Sequence, residues 1–312
     1  MGSTILTQFD TTTNRDLLKT GSLRKIHDNS AGEAKVFRKG MANDLTTKEM
    51  IVRDLRMAGF ENAVEIGEGQ NIPIYTPVLG TTKEYTQRDF GIGFRMSFKM
   101  DYFNKYGLWK KWAEDIGRAQ TEGKDIEIHT LFNSPTSTSL ACGVGFDTYA
   151  LAANAHTGLL AGSTADNYDN LLSQALSTSA LESVRYYFAT LVNDMGRYMG
   201  AIPDTLFYHP TQWPTVREIL GSDLRPHELS NTVNIFPEMG LKPYENPRLT
   251  STTAWGVLAK NDKKYDVNVF TGMEPKTFEK DAPDNTLDKV FVSAQFFCYG
   301  FGDQRLYYQG NT

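Results

Sequence analysis

The sequence predicts an α+β fold, and three observations on its hydrophobic pattern lead to that class. Over residues 90–100 every second residue is apolar, which is the pattern of a half-buried β-strand. Over residues 104–131 apolar residues recur at spacings of three and four, which predicts a long helix. Strand-like runs return at 265–270, 276–280 and 290–301. Because strands and helices do not alternate regularly, we expect a mixed fold and not a regular parallel α/β sheet.

The totals of the sequence describe a folded, slightly acidic protein. Hydrophobic residues make up 40% and charged residues 22% of its 312 residues, which excludes a disordered or collagen-like chain. The net charge of −5 argues against a protein that grips nucleic acid, because such binding depends on clustered Lys and Arg. No apolar run reaches the roughly 18 residues of a membrane-spanning helix, so no membrane partner is expected.

The cysteines and histidines predict neither a metal site nor redox chemistry. Cys142 and Cys298 lie far apart and outside any C-x-x-C or Cys/His pattern, so we expect two buried thiols in a protein folded in a reducing cytoplasm. The five histidines are scattered without H-E-x-x-H spacing. We therefore predict no metal-binding residue.

Signatures of catalysis are missing or unsupported. The sequence has no G-x-x-x-x-G-K-[ST] phosphate loop and no G-x-S-x-G nucleophile elbow. Gly91 and Gly93 interrupt an alternating strand and do not join a strand to a helix, so they do not predict a dinucleotide site. Asp147, His156 and Ser163 could be imagined as a catalytic triad, but nothing in the sequence positions them. No catalytic and no cofactor-binding residue is predicted.

The first hundred residues predict an arm, a short helix and a long hairpin. Residues 1–32 show no sustained period, which favours an extended arm, and the first forty residues hold seven basic against four acidic residues. A helix is expected over 46–59, because Glu49 follows Thr46 at the spacing of a capping box. The run at 71–78 and the strand at 90–100 then predict a hairpin about 30 Å long.

This hairpin would be marginal by itself, and a functional expectation follows from that. Two prolines make its first strand irregular or place it at an edge, and an isolated two-stranded ribbon is barely stable in water. We expect it to project from the body and to lie on another copy of the chain. Arg88 and Asp89 near its middle are equally compatible with a solvated face and with ion pairs to a neighbouring subunit. Lys83 at its tip and Arg95 complete the candidate inter-subunit contacts.

The second half of the sequence predicts a smaller α/β unit that begins near residue 140. Helices are expected at 166–177 and 179–199, the second opening with the capping-box spacing of Ser179 and Glu182. A short apolar strand at 205–209 and a helix at 211–220 follow. The three late strands are then expected to return the chain to the first unit.

Three segments carry a resemblance to a known family. They are D-F-G-I-G-F-R-M-S-F at 89–98, P-D-T-L-F-Y-H-P at 203–210 and Y-G-F-G-D-Q-R at 299–305. Together with the order of the elements, they resemble the major capsid proteins of tailed bacteriophages, whose fold is named after phage Hong Kong 97 and is shared with encapsulins. The resemblance spans nearly the whole chain. It implies an N-terminal arm at 1–32, a peripheral domain at 33–61, 101–140 and 259–290, an extended loop at 62–100, and an axial domain at 141–258 and 291–312.

By that resemblance the chain is expected to be a structural shell protein and not an enzyme. Copies would form the pentamers and hexamers of an icosahedral head around double-stranded DNA, without sequence-specific DNA binding. The expected location is the virion capsid, assembled in the cytoplasm of the bacterial host. Because the arm begins almost at Met1, whereas some relatives carry a fused scaffold, a separate scaffolding protein is expected beside a portal.

Two alternatives remain open at this point. An encapsulin-like nanocompartment has the same fold and would be recognised by an enzyme cargo. An enzyme with an unrecognised site would instead be a monomer or small oligomer with one deep pocket.

Overall fold

The computed structural model describes residues 20–57, 60, 62–76, 79–103, 108–158, 167–222, 233–260, 265–281 and 288–311. The helices of this part of the chain are α1 Thr20–Glu33, α2 Phe98–Tyr102, α3 Leu108–Asn133, α4 Thr178–Thr190 and α5 Trp213–Gly221. The strands are β1 Asn43–Thr46, β2 Ile51–Met57, β3 Leu79–Thr86, β4 Arg88–Met96, β5 Ile202–Tyr208, β6 Lys242–Glu245, β7 Trp255–Lys260, β8 Val267–Asp281, β9 Lys289–Phe301 and β10 Tyr307–Asn311. The first nineteen residues of the predicted arm lie outside the described residues.

The first sheet has the order β1-β8-β9-β4 and is covered on one face by α1 and α3. β1 runs parallel to β8, and the other neighbours are antiparallel. The alternation predicted for β4 is confirmed up to Met96, which is buried, and Phe94 contacts the ring of Trp109 on α3. Phe98 leaves the strand pattern and begins α2, because the Ser97 side chain caps the first turn of this helix.

Helix α3 is the long helix that the sequence predicts, and it contributes to two hydrophobic cores. Its 26 residues extend about 39 Å at 1.5 Å per residue. Trp109 and Ile116 in its first half pack with Phe291 of the first sheet. Leu131 and Phe132 in its last turns belong to a core that also contains Phe207 of β5 and Phe297 of β9. The helix therefore connects the two sheets through packing.

The second sheet has the order β10-β7-β5-β6, with β5 and β6 parallel. α4 and α5 contribute to its core through Phe188 and Ile219, which pack in one cluster with Trp255 of β7. The predicted strand at 205–209 and helix at 211–220 are confirmed as β5 and α5. The late strands are also confirmed, with 265–270 and 276–280 forming one irregular strand, β8.

The extended arm predicted for residues 1–32 is wrong where it is described, because residues 20–33 form α1. This helix packs across α3 through Leu23, His27 and Ser30, all buried. The ring of His27 lies 2.9 Å from the Ser293 hydroxyl of β9, measured from Nε2. Close approach depends on Gly117 of α3, where a Cβ would lie 2.3 Å from the Ser30 hydroxyl.

The hairpin predicted over residues 71–100 is not formed. β3 pairs with β2 in a separate two-stranded ribbon, and β4 pairs with β9 of the first sheet. Residues 71–76 have no regular secondary structure. The prediction failed because an alternating pattern identifies a strand and carries no information about its partner.

The helix predicted over residues 46–59 is also wrong over its described residues, since β1 ends at Thr46 and β2 spans Ile51–Met57. In β2 the side chains alternate between solvent and the body, with Leu55 exposed and Arg56 buried. Glu49 closes no capping box, and its backbone N–H donates to the Thr47 hydroxyl (3.1 Å). Pairing with β3 overrides the local helical spacing.

Of the two helices predicted at 166–177 and 179–199, the described residues contain only the second, which is shorter than expected as α4. Residues 167–177 run beside β10 instead, where the Leu172 N–H donates to the Gln309 carbonyl (2.9 Å). The N-cap of α4 is Ser177, two residues before the predicted Ser179. Strand-like pairing along β10 takes the place of the first helix.

The strands of each sheet do not follow the order of the expected segments. β4 lies within the expected extended loop and most of β9 within the expected axial part, yet both strands belong to the first sheet. β7 lies mostly before the expected return at residue 259 and belongs to the second sheet. Of the last segment, only β10 joins the second sheet. The pairing partner of each strand, which the sequence does not show, decides these assignments.

A buried histidine links α3 to the segment that follows β6. The side chain of Asn246 donates to His129 Nε2 (2.9 Å), so His129 Nδ1 carries the proton and donates to the Asp125 carbonyl. Burial lowers the pKa of His129 against the opposing effect of this bond to Asp125, and the nearby charges of Arg248 and Arg38 lower it further. The fold therefore favours the neutral ring.

We expect this histidine to make folding sensitive to mild acid. Because its pKa in the folded chain lies below the unfolded value, its contribution is complete above about pH 6.5 and is lost as the pH falls toward the folded pKa. His129→Gln should reduce the slope of unfolding free energy against pH in this window by up to about 1.4 kcal/mol per pH unit. Urea unfolding at a series of pH values measures it, and equal slopes in both proteins would contradict it.

The contact between α1 and α3 gives a matched pair of glycine substitutions. A Cβ at Gly117 would lie 2.5 Å from the His27 carbonyl oxygen, whereas a Cβ at Gly123 on the same helix meets no atom within 4 Å. Gly117→Ala should destabilise the chain by about 1–3 kcal/mol through overpacking. Gly123→Ala should stabilise it by about 0.5–1 kcal/mol through helix propensity. Urea unfolding of both variants measures the difference, and a change of the same sign would refute the crossing at Gly117.

Candidate assembly surface

The two-stranded ribbon of β2 and β3 is the feature that differs most from an ordinary globular surface. Its strands are antiparallel, with Ile51 opposite Thr86 and Arg53 opposite Glu84. Arg53 and Glu84 form an exposed ion pair across the strands (2.8 Å), on the solvent face of the ribbon. The other face lies against the body, so the ribbon has one face to anchor and one face free.

β3 is anchored to the end of β9 by two donors on one carbonyl. The Lys83 ammonium (3.0 Å) and the Tyr85 hydroxyl (2.8 Å) both donate to the Phe301 carbonyl oxygen. The ring of Tyr85 lies where Gly300 has no side chain, since a Cβ there would be 2.0 Å from the ring. Burial lowers the pKa of Lys83 to about 8 and raises that of Tyr85 above its usual range. Both groups are thus part of the subunit's own interior.

β2 is anchored through a buried carboxylate. Asp194 accepts hydrogen bonds from Arg56 of β2 and from Arg305 near the C-terminus, and all three side chains are buried. Burial works against ionisation of Asp194, but the hydrogen bonds and charges of Arg305 and Arg56 outweigh it and lower its pKa. Asp194 lies in a turn over residues 193–197, and Arg197 of this turn donates to the carbonyl of Phe60, three residues after β2 ends (2.6 Å).

Beyond the ribbon, residues 62–76 form a segment that is exposed along its entire length. We call it the exposed segment. It has no helix or strand, and the backbone hydrogen bond found within it closes a turn from Gln70 to Gly67. Its apolar side chains face solvent, with Ile72 72% and Ile74 95% exposed. A single chain therefore leaves a contiguous apolar stretch without cover.

The four candidate contacts predicted from sequence have different environments in the structure. Lys83 does not lie at a hairpin tip: it is buried within β3, because its ammonium is used inside the chain. Arg88 is paired with Glu127 of α3 on the helix-covered face of β4. Arg95 is paired with Asp288 (3.0 Å). Asp89 is exposed on β4 and stays, with Arg88 and Arg95, a candidate contact.

The residues that hold the ribbon were missed from sequence. Tyr85, Arg56 and Asp194 belong to no motif, and their partners are distant along the chain. Gly300 and Arg305 do fall inside the segment 299–305 that carries the family resemblance. That segment was the available signal, and it showed neither the roles nor the partners of its residues.

The imagined triad reduces to a buried pair. Asp147 Oδ2 and His156 Nδ1 lie 2.6 Å apart, and His156 Nε2 lies 3.1 Å from the Asn170 amide oxygen. Burial opposes ionisation of Asp147, but the bond and charge of His156 outweigh it and lower the Asp147 pKa. The ring of His156 is inaccessible to solvent, which makes the pair a packing element. Ser163 lies outside the described residues.

The described residues contain no group of three or more histidine, cysteine or acidic side chains placed to hold a metal ion. None of the helices in this part of the chain is both long enough and apolar enough to cross a membrane.

Three solved structures share the fold over most of this chain. The virus-like particle from Pyrococcus furiosus has a TM-score of 0.52 and 8% identity, with 93% of this chain and 98% of that chain covered. The capsid of Cyanophage P-SCSP1u has a TM-score of 0.58 and 9% identity, covering 89% of each chain. The mature capsid of bacteriophage PhiM1 has a TM-score of 0.57 and 12% identity, covering 89% of this chain and 87% of that one. No curated protein sequence matches the chain.

At 8–12% identity these similarities show that the chain shares the fold of the three structures. The profile of a family described as phage capsid protein matches residues 80–308, well over half of the chain. The chain belongs to the phage capsid protein family and is a capsid shell protein. The expected fold and family are thereby confirmed, and the encapsulin-like alternative is not favoured.

The two ion pairs of β2 should differ sharply in their contribution to stability. Asp194→Ala removes the carboxylate bonded to the buried Arg56 and Arg305, although Arg305 keeps Asp303 at 3.6 Å, and should cost about 3–5 kcal/mol. Glu84→Ala removes an exposed partner of Arg53 and should cost no more than about 1 kcal/mol. Urea unfolding of the two variants measures both costs. Similar values would show that Asp194 does not hold the ribbon to the body.

Proposed function

We propose that the chain assembles through pentamers and hexamers into the icosahedral head of a tailed bacteriophage, around double-stranded DNA. Membership in the phage capsid protein family supports this. So do the similar structures, which are a mature capsid of bacteriophage PhiM1 and a cyanophage capsid. The exposed segment is the observation within this chain that carries the proposal, because it is a surface that a second copy can cover.

The energetics of the exposed segment favour association. Full burial of an isoleucine side chain contributes about 1.5–3 kcal/mol, and Ile72 and Ile74 are both largely exposed in the single chain. A contact between this segment and a different surface of the next copy is heterologous, and such contacts close into rings. Rings of five and six copies joined by many such contacts make a closed shell.

We assign domains from the sheets. The peripheral domain consists of the first sheet with α1 and α3, and the axial domain consists of the second sheet with α4 and α5. The extended loop consists of the ribbon and the exposed segment. This division keeps the arrangement expected from the family, with β4 and β9 now in the peripheral domain and β2 in the extended loop.

The partners follow from the same role. A shell wall needs no sequence-specific contact with DNA, and the net charge of −5 agrees with weak, non-specific contact. A scaffolding protein and a portal are proposed as further partners, and the host cytoplasm as the place of assembly before the chain resides in the virion. The role is structural and not enzymatic, and the family supports it.

The test is the size of the purified protein and of a matched pair of variants. The unmodified chain, with its scaffold where one is required, should form capsomers or closed particles in light scattering and electron microscopy. Replacing Ile72 and Ile74 by Asp should leave the subunit folded by circular dichroism and abolish particles, since charges cannot be buried at the contact. The control with Val at both positions should still assemble. A discrete monomer from the unmodified chain under all these conditions would refute the proposal.

A further inference from the structure

The base of the ribbon holds an uneven set of charges where it meets the body. Arg56 and Arg305 both bind Asp194, and Arg305 also lies 3.6 Å from Asp303. Two cations therefore compensate two carboxylates. With three further charged residues these four form a group that we call the anchoring cluster, and its members are Asp54, Arg56, Lys83, Asp194, Asp266, Asp303 and Arg305.

Lys83 is the remaining cation of the anchoring cluster, and it faces two carboxylates. Asp54 lies directly opposite Lys83 across the ribbon, so the two side chains share a face. Asp266 immediately precedes β8. A Cβ at Gly302 would lie 3.0 Å from Asp266 Oδ1 and 3.4 Å from Asp54 Oδ2, so both carboxylates face the same gap. The Lys83 ammonium, bound to the Phe301 carbonyl beside this gap, compensates only one of them.

Asp266 lacks the hydrogen bonds that an ionised carboxylate needs. Its Oδ2 atom is buried and has no hydrogen-bond partner among the described residues. Burying a charge in this way is costly, and such a group becomes neutral instead. Burial raises the pKa of Asp266 well above its ordinary value, and the charges of Asp303 and Asp54 raise it further. Lys83 and Arg56 lower this pKa but do not outweigh the other effects.

The other titratable groups near Lys83 do not change this count. Burial opposes ionisation of Asp147, but its bond to His156 outweighs burial and lowers the Asp147 pKa. Burial raises the pKa of the Cys142 thiol to about 11 and that of Tyr85 above its usual range, so both stay neutral. None of these groups supplies a positive charge to Asp266.

We infer that attachment of the ribbon to the body takes up one proton, which Asp266 carries, so that pH controls how firmly the ribbon is held. With the ribbon detached, Asp266 faces water and ionises in the ordinary range. The attached state then binds one proton more, so attachment weakens as the pH rises above about 4, by up to about tenfold per pH unit. Lys83 acts in the opposite sense: burial lowers its pKa to about 8, so its loss of a proton offsets the effect above that pH.

This inference concerns the single subunit and goes beyond the proposed function, since it adds proton control to the anchoring of the ribbon. Its consequence for a shell rests on the proposed function. Mild acid would fix the ribbon more firmly in each copy, and a rise in pH toward 8 would loosen it.

Hydrogen exchange of the full chain between about pH 5 and 7.5 tests the inference. An isolated two-stranded ribbon is marginal, so detachment exposes the amides of β2 and β3 to exchange. Asp266→Asn has nearly the shape of the protonated acid and cannot ionise. Glu84→Gln, which changes a carboxylate on the solvent face of the same ribbon, is the matched control. All these proteins retain His129, so their comparison at equal pH removes its titration.

Opening of the ribbon, corrected for the intrinsic pH dependence of exchange, should increase with pH in the unmodified chain and in Glu84→Gln. In Asp266→Asn this increase should disappear, and protection at pH 7.5 should be at least about tenfold greater than in the unmodified chain. The carboxyl carbon of Asp266, identified in NMR spectra by its absence from Asp266→Asn, should show a protonated acid at a pH where exposed aspartates are ionised.

Several results would overturn the inference. Asp266→Asn could protect the ribbon less or fail to fold, as expected of an ionised Asp266 that binds Lys83. The three proteins could instead show equal slopes, or the NMR shift could be that of a carboxylate. Protection that rises with added Mg²⁺ and falls with EDTA would assign the compensating charge to a cation and not to a proton. All of these are measured on the subunit and leave the shell function standing, whereas absence of particles would refute only the shell function.

Discussion

The packing of helix α3 against both sheets is the constraint on which the rest of the subunit depends. Its first half fills the core beneath β4 and β9, and its last turns fill the core that reaches β5. Between the two, Gln120 and Lys124 are buried and bond to the Ser293 carbonyl and the Thr271 hydroxyl. These polar bonds have directional geometry, so they fix the rotation of the helix about its axis as well as its position. A subunit built on this helix keeps its two sheets in one arrangement.

The ribbon shows how a rigid body can carry a surface for its neighbours. Its base is held by Lys83, Tyr85 and Arg56, which are all buried against the body. Beyond the base the exposed segment makes few contacts with its own chain. The subunit's own contacts therefore fix the orientation of the ribbon, and association has only to order the exposed segment. Such a surface needs both the buried contacts at the base of the ribbon and the solvent exposure of the segment beyond it.

How far the sequence predicted the fold depended on whether each signal was local. α3, β5, α5 and β9 follow from periodicity within their own residues, and the structure confirms them. The ribbon was misplaced because Thr86 pairs with Ile51 and β4 pairs with β9, and neither partner can be read from an alternating pattern. α1 was missed because its buried face mixes the apolar Leu23 with the polar His27 and Ser30.

The assignment to a capsid family is confirmed, although the hairpin predicted over residues 71–100 is not formed. The segments that carry the resemblance to the family explain why. Residues 89–98 supply β4 with Gly91 and Gly93, and residues 299–305 supply Gly300, which receives Tyr85. At Gly93 and Gly300 a neighbour excludes a side chain, since a Cβ would lie 2.6 Å from the Phe291 carbonyl oxygen and 2.0 Å from the Tyr85 ring. Where a Cβ would lie about 2 Å from a neighbouring atom, only glycine fits. Such a position restricts the sequence more tightly than a hydrophobic period does, because many residues fit a period. The segment at 299–305 therefore contains a packing requirement of the ribbon, the absence of a side chain at Gly300, that no hydrophobic period shows.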